Sequence, residues 1–278
     1  MTRHAIRLSA VLAVLLALGA HAARADWMPN AADPREATNH KMHWPQMPDP
    51  AGWDIQVKSY RLADDFLCEE KGPVSDIHFW ASWEGGVVGK IREIHASLHA
   101  DIPAAENPYG EWSMPGDLLW ERDFVEGEFT VSGPLGVDDN LLQGWDNPTA
   151  SDVPGECVYE DHDAFFQVNI TDIRDPFMQE GTPDQPVIYW LDLLIMDVDP
   201  PVGVEEVALG WKTTTMPFND QAVWHFMYDT PDHWKRIEVC EQDEWTDLAF
   251  VITPEPATLA LVGLGAAGLV ASRRRRRK

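Results

Sequence analysis

The residues best equipped for chemistry in this chain are its carboxylates. Of 278 residues, 46 are Asp or Glu against 21 Lys or Arg, a formal net charge of −25. A glycosidase needs two carboxyl groups roughly 5–9 Å apart in a cleft lined by aromatic rings. Asp64, Asp65, Asp192 and Asp197 are the nominees, but pairs arise by chance at this acidic density, and no catalytic residue stands out. Hard oxygen ligands suited to Ca²⁺ occur in the runs Asp138-Asp139-Asn140, Asp161-His162-Asp163 and Asp197-Val198-Asp199. None has the spacing of an EF-hand loop. Asp138, Asp139, Asp161 and Asp163 are the candidates for a structural calcium ion, against a default of solvated turn acids. No other cofactor is expected.

His95, Ser97 and His99 fall at alternate positions and share one face of a strand. Strand residues four apart lie about 13 Å from each other, too far to ligate one metal, so a polar outer face is expected. No GxSxG or HExxH motif is present, which removes the simplest hydrolase readings. Thirteen tryptophans lie between Trp27 and Trp245. A flat aromatic face suits the apolar side of a sugar ring. Trp80 and Trp83 are therefore candidate glycan contacts, with Trp112, Trp120 and Trp145 behind them and core packing the default for each. Cys68, Cys157 and Cys240 allow one disulfide and leave one thiol, and the sequence does not choose the pair. With no CxxC or Cys/His cluster, a zinc site is not expected.

The elements that must hold these residues read as short strands separated by Gly, Pro and Asp. Residues 26–52 form an extended lead-in. In 74–83, Ile77, Phe79, Ala81 and Trp83 oppose Asp76, His78, Trp80 and Ser82. In 91–99, Ile94, Ala96 and Leu98 oppose the His95, Ser97 and His99 face. Further strand-like runs cover 118–125, 129–131, 164–170, 187–198, 204–212, 222–228, 236–240 and 248–252. The run 187–198 is almost continuously apolar and should be a central strand buried on both faces. With no long amphipathic helix and no repeat, the expectation is one all-β domain over 53–253, a β-sandwich of jelly-roll type.

Both ends read as addresses. Residues 1–25 carry Arg3 and Arg7, the apolar stretch 8–20, and a small-x-small site at Ala23-Arg24-Ala25, the pattern of a signal helix cut by signal peptidase. At the other end, Pro254-Glu255-Pro256 precedes an uncharged run and then Arg273, Arg274, Arg275, Arg276, Arg277 and Lys278. A helix of about 16 residues over 257–272 spans roughly 24 Å, a little short of the ~30 Å hydrocarbon core, and snorkelling arginines can absorb the deficit. Gly263-Leu264-Gly265-Ala266-Ala267-Gly268 matches GxGxxG, but no acidic residue follows and the chain ends, so the glycines read as small residues of a membrane helix. Excluding both ends, 26–253 holds 45 acidic and 12 basic residues, a formal charge of −33. Such a surface repels nucleic acid and anionic lipid, and attracts cations and basic partners.

The triplet, apolar run and arginine cluster together resemble the PEP-CTERM sorting signal of Gram-negative bacteria. The resemblance implies export, a transient inner-membrane anchor, recognition by an exosortase, and cleavage with release to the cell surface or exopolysaccharide matrix. The middle of the chain resembles an uncharacterised exported domain family found upstream of such tails. It does so through Leu62–Cys68, Gly72–Trp83, Tyr189-Trp190-Leu191-Asp192, Gly210–Thr214, Asn219–Trp224 and Asp247–Ile252. That resemblance brings no activity. The functional expectation is a non-catalytic surface or matrix protein associated with polysaccharide. The alternatives are a secreted glycan hydrolase using paired carboxylates and a purely structural matrix component.

Overall fold

A computed structural model describes residues 43–136, 142–148, 157–226, 234–241 and 246–253. The signal and sorting residues, with Asp138 and Asp139, lie outside them. Among the described residues sixteen strands run in chain order: β1 (Trp53–Gln56), β2 (Tyr60–Cys68), β3 (Gly72–Pro73), β4 (Asp76–Trp83), β5 (Lys90–Ile102), β6 (Met114–Val125), β7 (Phe129–Leu135) and β8 (Gln143–Asp146). Then come β9 (Val158–His162), β10 (Phe165–Ile170), β11 (Met178–Gln179), β12 (Val187–Asp199), β13 (Leu209–Lys212), β14 (Val223–Phe226), β15 (Lys235–Arg236) and β16 (Phe250–Thr253). Among the described residues no helix is long and apolar enough to cross a membrane.

Two sheets face each other. One has eight strands in the order β7-β10-β4-β13-β1-β8-β9, with β16 also paired to β4; the other has six, β15-β14-β2-β12-β5-β6. A two-stranded ribbon, β11-β3, stands apart. On β4 the pairing is divided, with β16 along Asp76–Phe79 and β13 along Ala81–Trp83. The assembly exceeds the eight strands of a jelly roll and includes a parallel pair, β1 with β8.

The alternation in the sequence decides which side chains fill the gap between the sheets. Ile77, Phe79, Ala81 and Trp83 from β4 meet Ile94, Ala96 and Leu98 from β5 and Tyr189, Leu191, Leu193 and Ile195 from β12 in one continuous core. Each large side chain buried there contributes roughly 1.5–3 kcal/mol. Trp211 is fully buried, packed edge-on against Phe79 and Phe250 at ring distances of 6.0 and 5.9 Å, so Trp211→Ala would cost about 3–5 kcal/mol. β12 lies between β2 and β5, and its apolar run is buried on both faces from Tyr189 to Ile195.

The faces turned away from the core are also covered. Trp80, Phe165, Ala249 and Val251 form a second cluster behind the eight-stranded sheet. Ala63, Met114, Trp190, Val223 and Trp234 form a third behind the six-stranded sheet. This is why polar residues that alternate away from the core do not all reach water.

Candidate functional site

On the outer face of the six-stranded sheet, pairing brings Ser97 of β5 opposite Asp192 of β12, and Asp192 opposite Ala63 of β2. Arg61 Nη1 donates to Asp192 Oδ2 at 2.6 Å, and Ser97 Oγ donates to the same oxygen at 2.9 Å. His99 Nε2 lies 3.0 Å from Ser97 Oγ, and His99 Nδ1 donates to the Gly116 carbonyl at 3.2 Å. A nucleophilic triad needs the histidine to take the serine proton while the acid orients its other nitrogen. Here the serine proton goes to the acid and the other nitrogen faces a backbone carbonyl. The expected polar outer face is thus on the expected side, but Ser97, His99 and Asp192 are buried. Burial pushes the Asp192 carboxyl up, but His99, Arg61 and Ser97 outweigh that and hold it below its ordinary value.

One step along the same face is an aspartate cluster whose hydrogen bonds, among the described residues, come from amides and an indole. Asp65 sits opposite Trp190, diagonal to Asp192, a spacing of about 7–8 Å. Asn219 Nδ2 donates to Asp65 Oδ2 at 2.6 Å, the Trp190 indole N–H to Asp101 Oδ1 at 2.8 Å, and the Ser113 amide to Asp220 Oδ2 at 2.9 Å. Asp247 Oδ2 accepts the Phe218 amide at 2.6 Å. Asp64 points the opposite way on β2, between Leu62 and Phe66, and accepts the Leu248 and Asp65 amides at 2.6 and 2.9 Å. Burial raises Asp65 to about 8, with Asp247, Asp101 and Asp220 adding to the rise. Burial likewise raises Asp247 to about 7, and lifts Asp64 well above the usual carboxylate range with help from Asp247 and Asp65. Asn219 adopts φ +49, a left-handed backbone that Asn tolerates better than most residues.

The loop that carries Asn219 and Asp220 also walls an open apolar pocket of about 330 Å³, lined by Trp44, Gln46, Phe66, Met216, Pro217 and Phe218 among others. Gln46 Nε2 donates to the Asp65 carbonyl at 2.7 Å, so pocket and cluster share a backbone. Trp44 is 55% exposed, the one exposed tryptophan among the described residues.

The remaining sequence candidates are placed elsewhere. Trp80 and Trp83 are each 3% exposed, in the second cluster and the central core, so neither ring is open to a sugar; both alternating faces of β4 are covered. Trp145 is also buried, while Trp112 and Trp120 are half-buried. Asp161 Oδ2 accepts the Gly85 amide at 2.7 Å and lies 2.9 Å from His162 Nδ1, which places it in an ion-pair network instead of a calcium loop. Asp163 is half-buried nearby. The network continues through His162 Nε2 to Asp54 Oδ2 at 3.0 Å and on to Lys212 Nζ at 3.0 Å, all fully buried. Burial pushes Asp54 up, but Lys212 and His162 hold it below its ordinary value. Gly210 makes room for this network, since a Cβ there would meet Trp145 at 2.7 Å and Asp54 at 2.9 Å. Asp197 is exposed at the far end of β12.

The disulfide joins Cys157 and Cys240, and Cys68 is a buried free thiol. Beside the disulfide, burial raises the Asp146 carboxyl to about 7. Asp146, Cys157 and Cys240 are the one group of three metal-type side chains converging within 4.8 Å among the described residues, and the disulfide occupies both sulfurs.

Sequence reasoning missed Trp44, Asp101, Asn219, Asp220 and Asp247. A usable signal was present in Asp64-Asp65, a charged doublet inside the apolar strand Leu62–Cys68 that can be buried only with partners brought from elsewhere.

The fold and its tail define an all-β exported protein with a C-terminal sorting signal. Residues 42–253 match the domain of unknown function DUF7901, and the chain belongs to that family. Residues 253–277 match the PEP-CTERM protein-sorting motif, which marks an exosortase substrate sorted to the cell envelope or extracellular space. No curated protein and no solved structure matches the chain.

Proposed function

We propose that the protein is a non-catalytic surface or matrix protein that binds polysaccharide at the Trp44 pocket. On this reading it is made with a cleavable signal helix and anchored briefly in the inner membrane of a Gram-negative cell. An exosortase then cuts it near Pro254-Glu255-Pro256 and releases it. The observation that carries the binding site is the exposed Trp44 ring at the mouth of an apolar pocket. Ring stacking on a pyranose is worth on the order of 1 kcal/mol beyond its buried area. Trp44→Ala in the full-length protein, in detergent, should weaken binding to the producing cell's own polysaccharide about tenfold, read by calorimetry. Equal affinity of the two proteins, or no binding by either, sinks this reading. The latter result would leave the purely structural matrix component.

A glycan hydrolase is the second reading. Asp65 and Asp192 support it, because they lie diagonally on one face and their acidities are driven apart, as an acid and a base require. Both are fully buried, however, and Asp192 is committed to Arg61 and Ser97. Reducing-sugar release that disappears in both Asp65→Asn and Asp192→Asn would establish this reading over the first.

A further inference from the structure

We infer that the aspartate cluster behind β2 is a binding site for a hard divalent cation, Ca²⁺ before Mg²⁺, with Asp65 and Asp247 as its direct protein ligands. Asp65 Oδ2 is fixed by Asn219 and Asp247 Oδ2 by the Phe218 amide, with the Ala222 amide also acting on the Asp247 carboxyl. The second oxygen of each, Oδ1, is buried with no partner, although Asp65 is 0% and Asp247 1% exposed. A buried carboxyl oxygen without a hydrogen bond is costly, and such oxygens are normally paired or bound to metal. Among the described residues, the nearby charges that raise Asp65 most are the carboxylates Asp247, Asp101 and Asp220.

The arrangement is layered. Asp65 and Asp247 are buried, Asp101 and Asp220 are half-buried, and Asn219, which donates to Asp65, is exposed. No three of these carboxylates converge within 4.8 Å. The site thus has two direct carboxylates, with water bridging to Asp101 and Asp220, which suits the flexible six- to eight-oxygen sphere of Ca²⁺ better than the rigid octahedron of Mg²⁺. The location differs from the acid runs that the sequence offered, because its members come from β2, β5 and two loops.

The test uses the full-length protein in detergent at pH 8, with Ca²⁺ alone as the added ligand. Ca²⁺ at a hundredfold excess over its Kd should raise Tm over the EDTA-treated protein by roughly 5–10 °C. Asp65→Asn with Asp247→Asn should abolish the rise, and its Tm in EDTA should not fall below wild type, since neutral amides remove the repulsion. Because Trp190 hydrogen-bonds Asp101, Tb³⁺ should give tryptophan-sensitised emission that Ca²⁺ displaces, a readout available even if the double variant does not fold. Three results would each overturn the assignment: no Tm rise with no Tb³⁺ emission; a rise matched by NaCl of equal ionic strength; or a rise that survives the double variant yet is lost in Asp138→Asn with Asp139→Asn.

Discussion

The last strand abuts the sorting signal, and this sets where the chain can be cut. β16 ends at Thr253 and the sorting match begins there. Phe250, Val251 and Ile252 are all fully buried. β16 pairs with β4 from Phe250 opposite Phe79 to Thr253 opposite Asp76, and the Ser75 amide donates to the Thr253 carbonyl at 3.1 Å. Removing the three side chains forfeits about 3–5 kcal/mol for the phenylalanine and about 1.5–3 kcal/mol for each aliphatic residue. The sum, roughly 6–11 kcal/mol, rivals the whole stability of a typical domain at about 5–15 kcal/mol. The released protein should therefore end at or after Thr253. Intact mass of the secreted form locates its C-terminus, and thermal unfolding compares chains ending at Thr253 and at Ala249. The first should unfold cooperatively and the second should be protease-sensitive throughout. A secreted form that ends before Phe250 yet melts cooperatively would refute the reasoning.

Four further outcomes follow from the buried charges and the disulfide. Lys212→Met should cost about 3–5 kcal/mol in urea unfolding because it strands the buried Asp54, while Lys212→Met with Asp54→Leu should recover most of it. In pH titrations, Asp54 and Asp192 are held low, so the stability they contribute is present above about pH 4 and lost as the pH falls through their folded values. Asp146, raised to about 7, has the opposite sign: the unfolded chain ionises first, so stability falls between about pH 4 and 7. Asp146→Asn should leave stability unchanged at pH 4 and raise it by up to about 4 kcal/mol at pH 8; no gain at pH 8 would contradict that placement. Reducing the Cys157–Cys240 bridge, which spans a separation of 83 residues, should cost about 4 kcal/mol and lower Tm.

The strands legible in the sequence were those long enough to show a pattern. β4 and β5 carry a period of two over eight or more residues and present the expected core faces, and β12 carries the continuous apolar run expected of a strand buried on both faces. β8 is a fully buried four-residue strand containing Gly144, too short and too mixed to display a period. The run 204–212 reads as one strand, but only Leu209–Lys212 pairs, and a turn with Gly203 at φ +92 precedes it. The run 236–240 ends in a tight helical turn with Cys240 at φ +51, not in a strand. Alternation separates the two faces of a strand but does not say whether the second face meets water. Ser97 was therefore placed on the correct side but expected at an open polar face, while Trp80 took the packed place that was its default. The aspartate cluster was invisible for another reason: Asp65, Asp101, Asp220 and Asp247 are distant in sequence and meet only through pairing and loop closure.

The segment 246–253 joins the two parts of the molecule that matter for its fate. At one end Asp247 caps the Phe218 amide within the aspartate cluster, and the next residue, Leu248, donates to Asp64. Ala249 then hydrogen-bonds Lys212, linking the segment to the buried Asp54 network on the other sheet. At the other end the chain enters β16 and reaches the sorting signal directly. A cation held by Asp65 and Asp247 would stabilise this segment by mass action, about 2.7 kcal/mol at a hundredfold excess over Kd. Sites of this kind in extracellular modules are weak, with dissociation constants of about 10⁻⁴–10⁻³ M, so occupancy follows the compartment. The chain would then be least stable before export, where free Ca²⁺ is scarce, and most stable outside. There the segment next to the cleavage site would be pinned at both ends, leaving the triplet beyond Thr253 as the part offered to the sorting enzyme.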